Sequence, residues 1–227
     1  MTNEEPDFLY SGILDRRGGS EKLDLSSVAQ WTQDQGILWV HLDVNEDASR
    51  RWLSEVSGLE PSIVDALLAE ETRPRSHASD DGLLVVLRGV NTNPGGDPED
   101  MVSIRLWIER DRIISTRRRR LLSVTDIRDS LELGEGPKTA GGFLAALTGK
   151  LADRIGDFVD SIEGDVGDAE DRIATQDQTE FRQSIATLRR QIASVRRFLA
   201  PQRDALDRLY RQPGKWLTDS EAQELRE

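Results

Sequence analysis

The chain has no cysteine and only two histidines, His41 and His77, in 227 residues. The first absence excludes disulfides and thiolate metal centres. The second leaves too few soft ligands for a tetrahedral zinc centre built from one chain. Long apolar runs are missing too. The longest are about five residues, such as Leu83–Leu87, whereas a membrane-spanning helix takes roughly 20. The reading is therefore of a soluble piece without a transmembrane helix, and the acidic opening MTNEEPDFLY lacks a signal-peptide core. Positive charge is in the minority: 30 Lys and Arg stand against 42 Asp and Glu, for a net charge of −12. That balance argues against nucleic acid as a partner and suits a surface that meets metal cations. The length fits one large domain, or one domain with a helical extension.

What is present divides near residue 134. Before it, strand-like and helix-like segments alternate. Phe8–Leu14 and Ile37–Val44 read as strands, with Ser26 as the cap of a short helix between them. Asn45 reads as the cap of a helix that Gly58 ends, and Pro61 as the first residue of the next. Leu83–Val90, Met101–Ile108 and Arg112–Thr116 follow as strands, the last two joined by a turn too short for a crossover. Val124, Ile127 and Leu131 mark one more helix. The fold class implied for 1–134 is α+β or α/β: a mixed, partly antiparallel sheet flanked by helices in α/β/α layers.

After the break Gly134-Glu135-Gly136-Pro137 the period changes. Leu144, Leu147, Leu151, Ile155, Phe158 and Ile162 recur at spacings of three and four, and the pattern restarts at Phe181, Ile185, Leu188, Ile192 and Val195. This predicts a long antiparallel helical hairpin over 135–215 with a narrow apolar seam. Asp177 and Glu180 have capping-box spacing at the start of its second helix, and Pro201 predicts a kink. Thr218 and Glu221 have capping-box spacing for a final helix, over 216–227, that is still rising at Glu227. Charge separates along the hairpin. Asp153 to Glu180 holds ten acidic residues against two arginines, and Arg182 to Arg211 holds eight arginines against Asp204 and Asp207.

Three groups are candidate metal ligands. His41 and Asp43, two apart on a strand, face one side; they fit either a shared cation or a hydrogen-bonded pair at the sheet face. His77 sits beside Asp80 and Asp81 in a polar turn and reads as a solvated residue or a weak surface ligand. Asp153, Asp157, Asp160 and Glu163 belong to an acidic helical series whose first three members align on one face. They fit either pairing with the basic second helix or weak, reversible attraction of divalent cations by hard oxygen ligands. Arg117–Arg120 reads as a salt-bridging turn or an anion site. No nucleophile elbow or phosphate loop is present.

The segments Glu70-Glu71-Thr72-Arg73-Pro74-Arg75, Leu87-Arg88-Gly89-Val90-Asn91 and Asp97-Pro98-Glu99-Asp100-Met101 are distinctive together. So are Trp39-Val40-His41-Leu42-Asp43, Arg189-Arg190, Arg196-Arg197 and Ala200 to Leu206. In this order they resemble the cytoplasmic domain of the CorA superfamily of divalent-cation transporters, and within it the ZntB-type zinc transporters. The resemblance covers roughly Leu38 to Glu227. It implies the N-terminal funnel domain of a homopentamer on the cytoplasmic side of the inner membrane, with Trp216 onward leading into a stalk helix. Two transmembrane helices joined by a Gly-Met-Asn loop would follow, and they are not in these 227 residues. The expected partners are divalent cations, the absent membrane helices and further copies of the chain. No cofactor is implied beyond weakly bound zinc or magnesium, and the isolated piece is expected to be weakly oligomeric or monomeric. A cytosolic scaffold whose hairpin mediates assembly is the alternative; an enzyme ranks behind both.

Overall fold

Alternation along the strands decides the two faces of the sheet. In the computed structural model, which describes residues 9–70, 72–172, 178–213 and 215–225, seven strands among the described residues form one sheet in the order β2-β1-β3-β7-β6-β5-β4. The strands are β1 Tyr10–Leu14, β2 Ser20–Lys22, β3 Ile37–Asp43, β4 Arg75–Ala78, β5 Leu83–Gly89, β6 Val102–Ile108 and β7 Arg112–Arg117. β3 and β7 pair in parallel, and the other pairings are antiparallel. This is the mixed sheet expected. β2 and β4 are additions to the sequence reading; both are short and polar, and each pairs on one side only. Phe8 lies outside the described residues.

Ile37 and Trp39 of β3, with Leu83, Val85 and Leu87 of β5 and Ile104 and Leu106 of β6, face one core. Leu38, Val40 and Leu42 face the other, with Leu84, Trp107 and Ile114. The second core is closed by α1 Leu25–Gln30, by α2 Asp47–Arg51 with its π-helical continuation Trp52–Val56, and by α3 Pro61–Leu68. Pro61 begins α3, where its missing N–H costs nothing. Two caps differ from expectation. α1 is capped by Asp24, whose carboxylate accepts from the Ser27 N–H at 2.7 Å, not by Ser26. α2 begins at Asp47 after Glu46; Asn45 instead donates to the Asp43 carboxylate from its backbone and side-chain N–H, at 3.0 and 2.8 Å.

The first core is closed by α4 Leu122–Glu132, by the start of α5 Ala140–Arg172, by the end of α6 Gln178–Arg211 and by α7 Asp219–Glu224. Phe143, Leu144, Leu147 and Leu151 of α5 are buried in it. Gly89 lets α5 come this close: a Cβ there would lie 2.6 Å from Leu151 and 2.8 Å from Leu121. Beyond the sheet, α5 and α6 are held by a separate cluster of Ile162, Ala169, Leu188 and Val195. α6 continues through Pro201. Thr218 and Glu221 form the expected capping box of α7. The proposed Asp177–Glu180 box and the chain end at residues 226–227 lie outside the described residues.

Candidate functional site

β3 carries His41 into the first core, where the ring is 3% exposed. Its Nδ1 lies 2.8 Å from the Ser115 hydroxyl on the parallel neighbour β7, and Trp39 Nε1 donates to the same oxygen at 2.9 Å. Nε2 is buried without a partner. Burial, and then the nearby Arg117 guanidinium, push the imidazole down to about 3, so it is neutral at physiological pH. Asp43 does not bond His41. It accepts from Asn45 and lies 3.8 Å from Arg117. The two residues share a face, as their spacing requires, but they are held by different partners.

His77 is exposed on the edge strand β4, opposite Leu84 of β5; sequence reasoning placed it in a turn. Asp153, Asp157, Asp160 and Glu163 are exposed on α5. Ion pairs of the hairpin include Arg154–Asp126 at 2.7 Å, which ties α5 to α4, and the local pairs Arg203–Asp204 at 3.7 Å and Arg211–Asp207 at 2.9 Å. Among the described residues none joins those four carboxylates to an arginine of α6. Helix geometry explains this for two of them. Asp153 lies two residues from Ile155, and Asp160 two from the buried Ile162, so each points about 160° away from the seam. Among the described residues no group of three or more histidine, aspartate or glutamate side chains is arranged to hold a metal ion.

The distinctive polar segments tie loops to the sheet. Arg88 donates to the Thr72 carbonyl at 2.8 and 3.1 Å and to Met101 O at 2.6 Å, and its guanidinium stacks 4.1 Å from the Phe198 ring centroid. Gln202 Oε1 accepts from the Arg88 N–H at 2.7 Å, and Ser76 donates to Ala205 O at 2.8 Å. These two contacts lock α6 to β4 and β5. Arg119 pairs with Asp100 at 2.6 Å, and Arg118 donates to Leu68 O at 3.0 Å. The arginine run is thus a salt-bridging turn.

Sequence reasoning missed Arg105, whose signal was a charge in the middle of the apolar β6. It is fully buried and donates to Ala69 O at 2.5 Å and Glu70 O at 3.2 Å. With Arg118, and with Thr116 bonded to Leu67 O at 2.8 Å, it satisfies the free carbonyls at the end of α3. Burial lowers its pKa to about 10, so it stays charged. The arrangement has the chemistry of a rigid support: Arg88, Arg105 and Thr116 bond backbone carbonyls, and the exposed carboxylates are spread along α5.

The chain is 36% identical over 230 residues to a divalent cation transporter, CmaX, of Pseudomonas aeruginosa, covering 97% of this chain and 68% of the relative. It is 32% identical over 221 residues to the zinc transport protein ZntB of Yersinia enterocolitica, covering 97% of this chain and 66% of the relative. The chain therefore spans about two thirds of the length of these relatives. The structure of a full-length CmaX protein superimposes with a TM-score of 0.89 at 36% identity, over 99% of this chain and 70% of that one. The ZntB cytoplasmic domain of Vibrio parahaemolyticus has the same fold, with a TM-score of 0.78 at 24% identity over 96% of this chain and 89% of that one. The family model described as CorA-like Mg2+ transporter protein matches residues 34–227, and the chain belongs to that family.

Proposed function

We propose that this chain is the water-facing part of a CorA-type transporter that moves zinc or a related divalent cation, working on the cytoplasmic side of the inner membrane as a pentamer. The observation that carries the reading is the match to full-length CmaX across 99% of this chain, together with a ZntB relative named for zinc transport. Among the described residues no helix is long and apolar enough to cross a membrane. The pore therefore falls to the part of the relatives that these residues do not match. In this reading 1–134 is the sheet layer, 135–215 the hairpin and 216–227 the entry to the stalk.

The role is transport support, not catalysis. Asp153, Asp157, Asp160 and Glu163 give α5 a negative potential that concentrates cations without fixing them. His41 is held neutral within the core, and Asp43 and His77 are at most peripheral ligands. The test is metal accumulation by cells carrying the complete gene, measured for zinc, magnesium, cobalt and nickel. Zinc uptake above empty-vector cells is the expected result. Cells that accumulate none of the four would overturn the reading.

A further inference from the structure

We propose that the hairpin bends at one level, at Gly156 of α5 and Pro201 of α6. Its outer part is then an arm that swings on the sheet and is latched to it through Ser194 and Phe198. The inference concerns this chain alone and does not rest on the transport reading.

The apolar seam is divided at that level. On the sheet side, Leu151 of α5 and Leu206 and Leu209 of α6 belong to the first core. On the far side, Phe158 and Ile162 of α5 and Val195 and Leu199 of α6 belong to the separate hairpin cluster. Between the two lies a cleft of about 950 Å³, whose walls include Ala152, Ile155, Gly156, Leu199 and Ala200. Ile155 is a seam residue by its spacing, yet it lines this cleft and joins neither cluster. Its counterpart on α6, Gln202, turns its amide oxygen to the Arg88 N–H at 2.7 Å. This level therefore lacks the interdigitated apolar packing that stiffens the hairpin on either side.

Both helix backbones are weakened there as well. Pro201 has no N–H to offer the Arg197 carbonyl, and its ring crowds that turn. Gly156 stands in the interior of α5, where a Cβ would meet nothing within 4 Å. Close packing does not account for this glycine, and its freedom makes the helix easier to bend. The two weak points face each other: Gly156 shares the cleft with Ala200 and Gln202, the neighbours of Pro201 on either side. A hinge needs such a pair, because bending one helix of a hairpin without the other would shear their seam.

The fastening differs across the hinge. On the sheet side, α6 is fixed by Gln202 to Arg88 and by Ser76 to Ala205 O at 2.8 Å. On the arm side, Ser194 donates to Glu99 O at 3.0 Å, and the Phe198 ring lies 4.1 Å from the Arg88 guanidinium. A hydrogen bond and a cation–π stack are released more readily than a packed core. They hold the arm against the loop before β6 and the end of β5, and breaking them frees the swing.

The absence of cysteine lets spin-label pairs be placed freely. Double electron–electron resonance is read between Arg190→Cys on the arm and Glu55→Cys on the sheet body. Glu55→Cys with Asp129→Cys, both on the body, is the control in every variant. The latched chain should give one narrow arm–body distance. Ser194→Ala with Phe198→Leu, which removes the latch and keeps apolar bulk, should add a second, displaced arm–body distance while the control stays narrow. Adding Gly156→Ala and Pro201→Ala to that variant should restore the single narrow distance. A latch variant no broader than the parent chain overturns the proposal. Breadth that survives Gly156→Ala with Pro201→Ala places the motion elsewhere and overturns the hinge.

Discussion

His41 shows how one residue can be legible in kind and not in role. Its position in an apolar strand announces a buried imidazole, but its partner Ser115 is 74 residues away on a strand paired in parallel. One sequence contains no mark of that register. The consequence is measurable. Above pH 6.5 the ring is neutral in both states and contributes no pH dependence. As pH falls below 6.5 the unfolded chain takes up a proton, while the folded chain resists until about 3. Stability is therefore lost across that window, at up to about 1.4 kcal/mol per pH unit from this group. His41→Gln keeps an acceptor for the Ser115 hydroxyl and removes the titration. Urea unfolding should show wild type losing more stability than His41→Gln between pH 6.5 and 4.5, by roughly 2 kcal/mol. Parallel pH curves would refute the neutral, inaccessible ring. Asp43 was legible as sharing the face of His41, but its bonds to Asn45 belong to a local turn after the strand, which period-two reasoning cannot see.

At the scale of elements, periodicity gave the long strands, α3, α4 and the hairpin, because each buries a continuous apolar face. It missed β2 and β4, which are held by their neighbours' hydrogen bonds and carry little apolar pattern of their own. The joint between hairpin and sheet was also invisible, since it depends on polar side chains reaching backbone. Gln202 is the clearest case: it sits beside Pro201 in the seam, yet its amide oxygen supplies the acceptor for the Arg88 N–H beyond the reach of β4. Gln202→Leu should leave that donor unsatisfied and cost about 1–3 kcal/mol, read as a lowered thermal midpoint. An unchanged midpoint would mean that water replaces the amide without loss. The glycines of α5 give the opposite sign. Gly156→Ala and Gly164→Ala should each stabilise the free chain by roughly 0.5–1 kcal/mol, because the added methyl meets nothing and the unfolded chain loses freedom. Thermal midpoints that stay unchanged or fall would show that the helix needs glycine at these positions.

For the whole molecule, the charge separated along the hairpin leaves the α5 carboxylates available to attract cations. In a free chain, Asp153, Asp157, Asp160 and Glu163 are exposed and lack ion-pair partners among the described residues. A net charge of −12 adds to their potential. Divalent cations should then bind weakly, with little preference between zinc and magnesium, because exposed carboxylates are hard and adaptable ligands. Added salt should screen the effect strongly. Replacing Asp153, Asp157 and Asp160 together with Asn should reduce the calorimetric signal while the far-ultraviolet circular dichroism stays helical. A single stoichiometric zinc site of nanomolar affinity, about −12 kcal/mol, would contradict the diffuse-field account altogether and direct attention to His41 or His77 as a ligand.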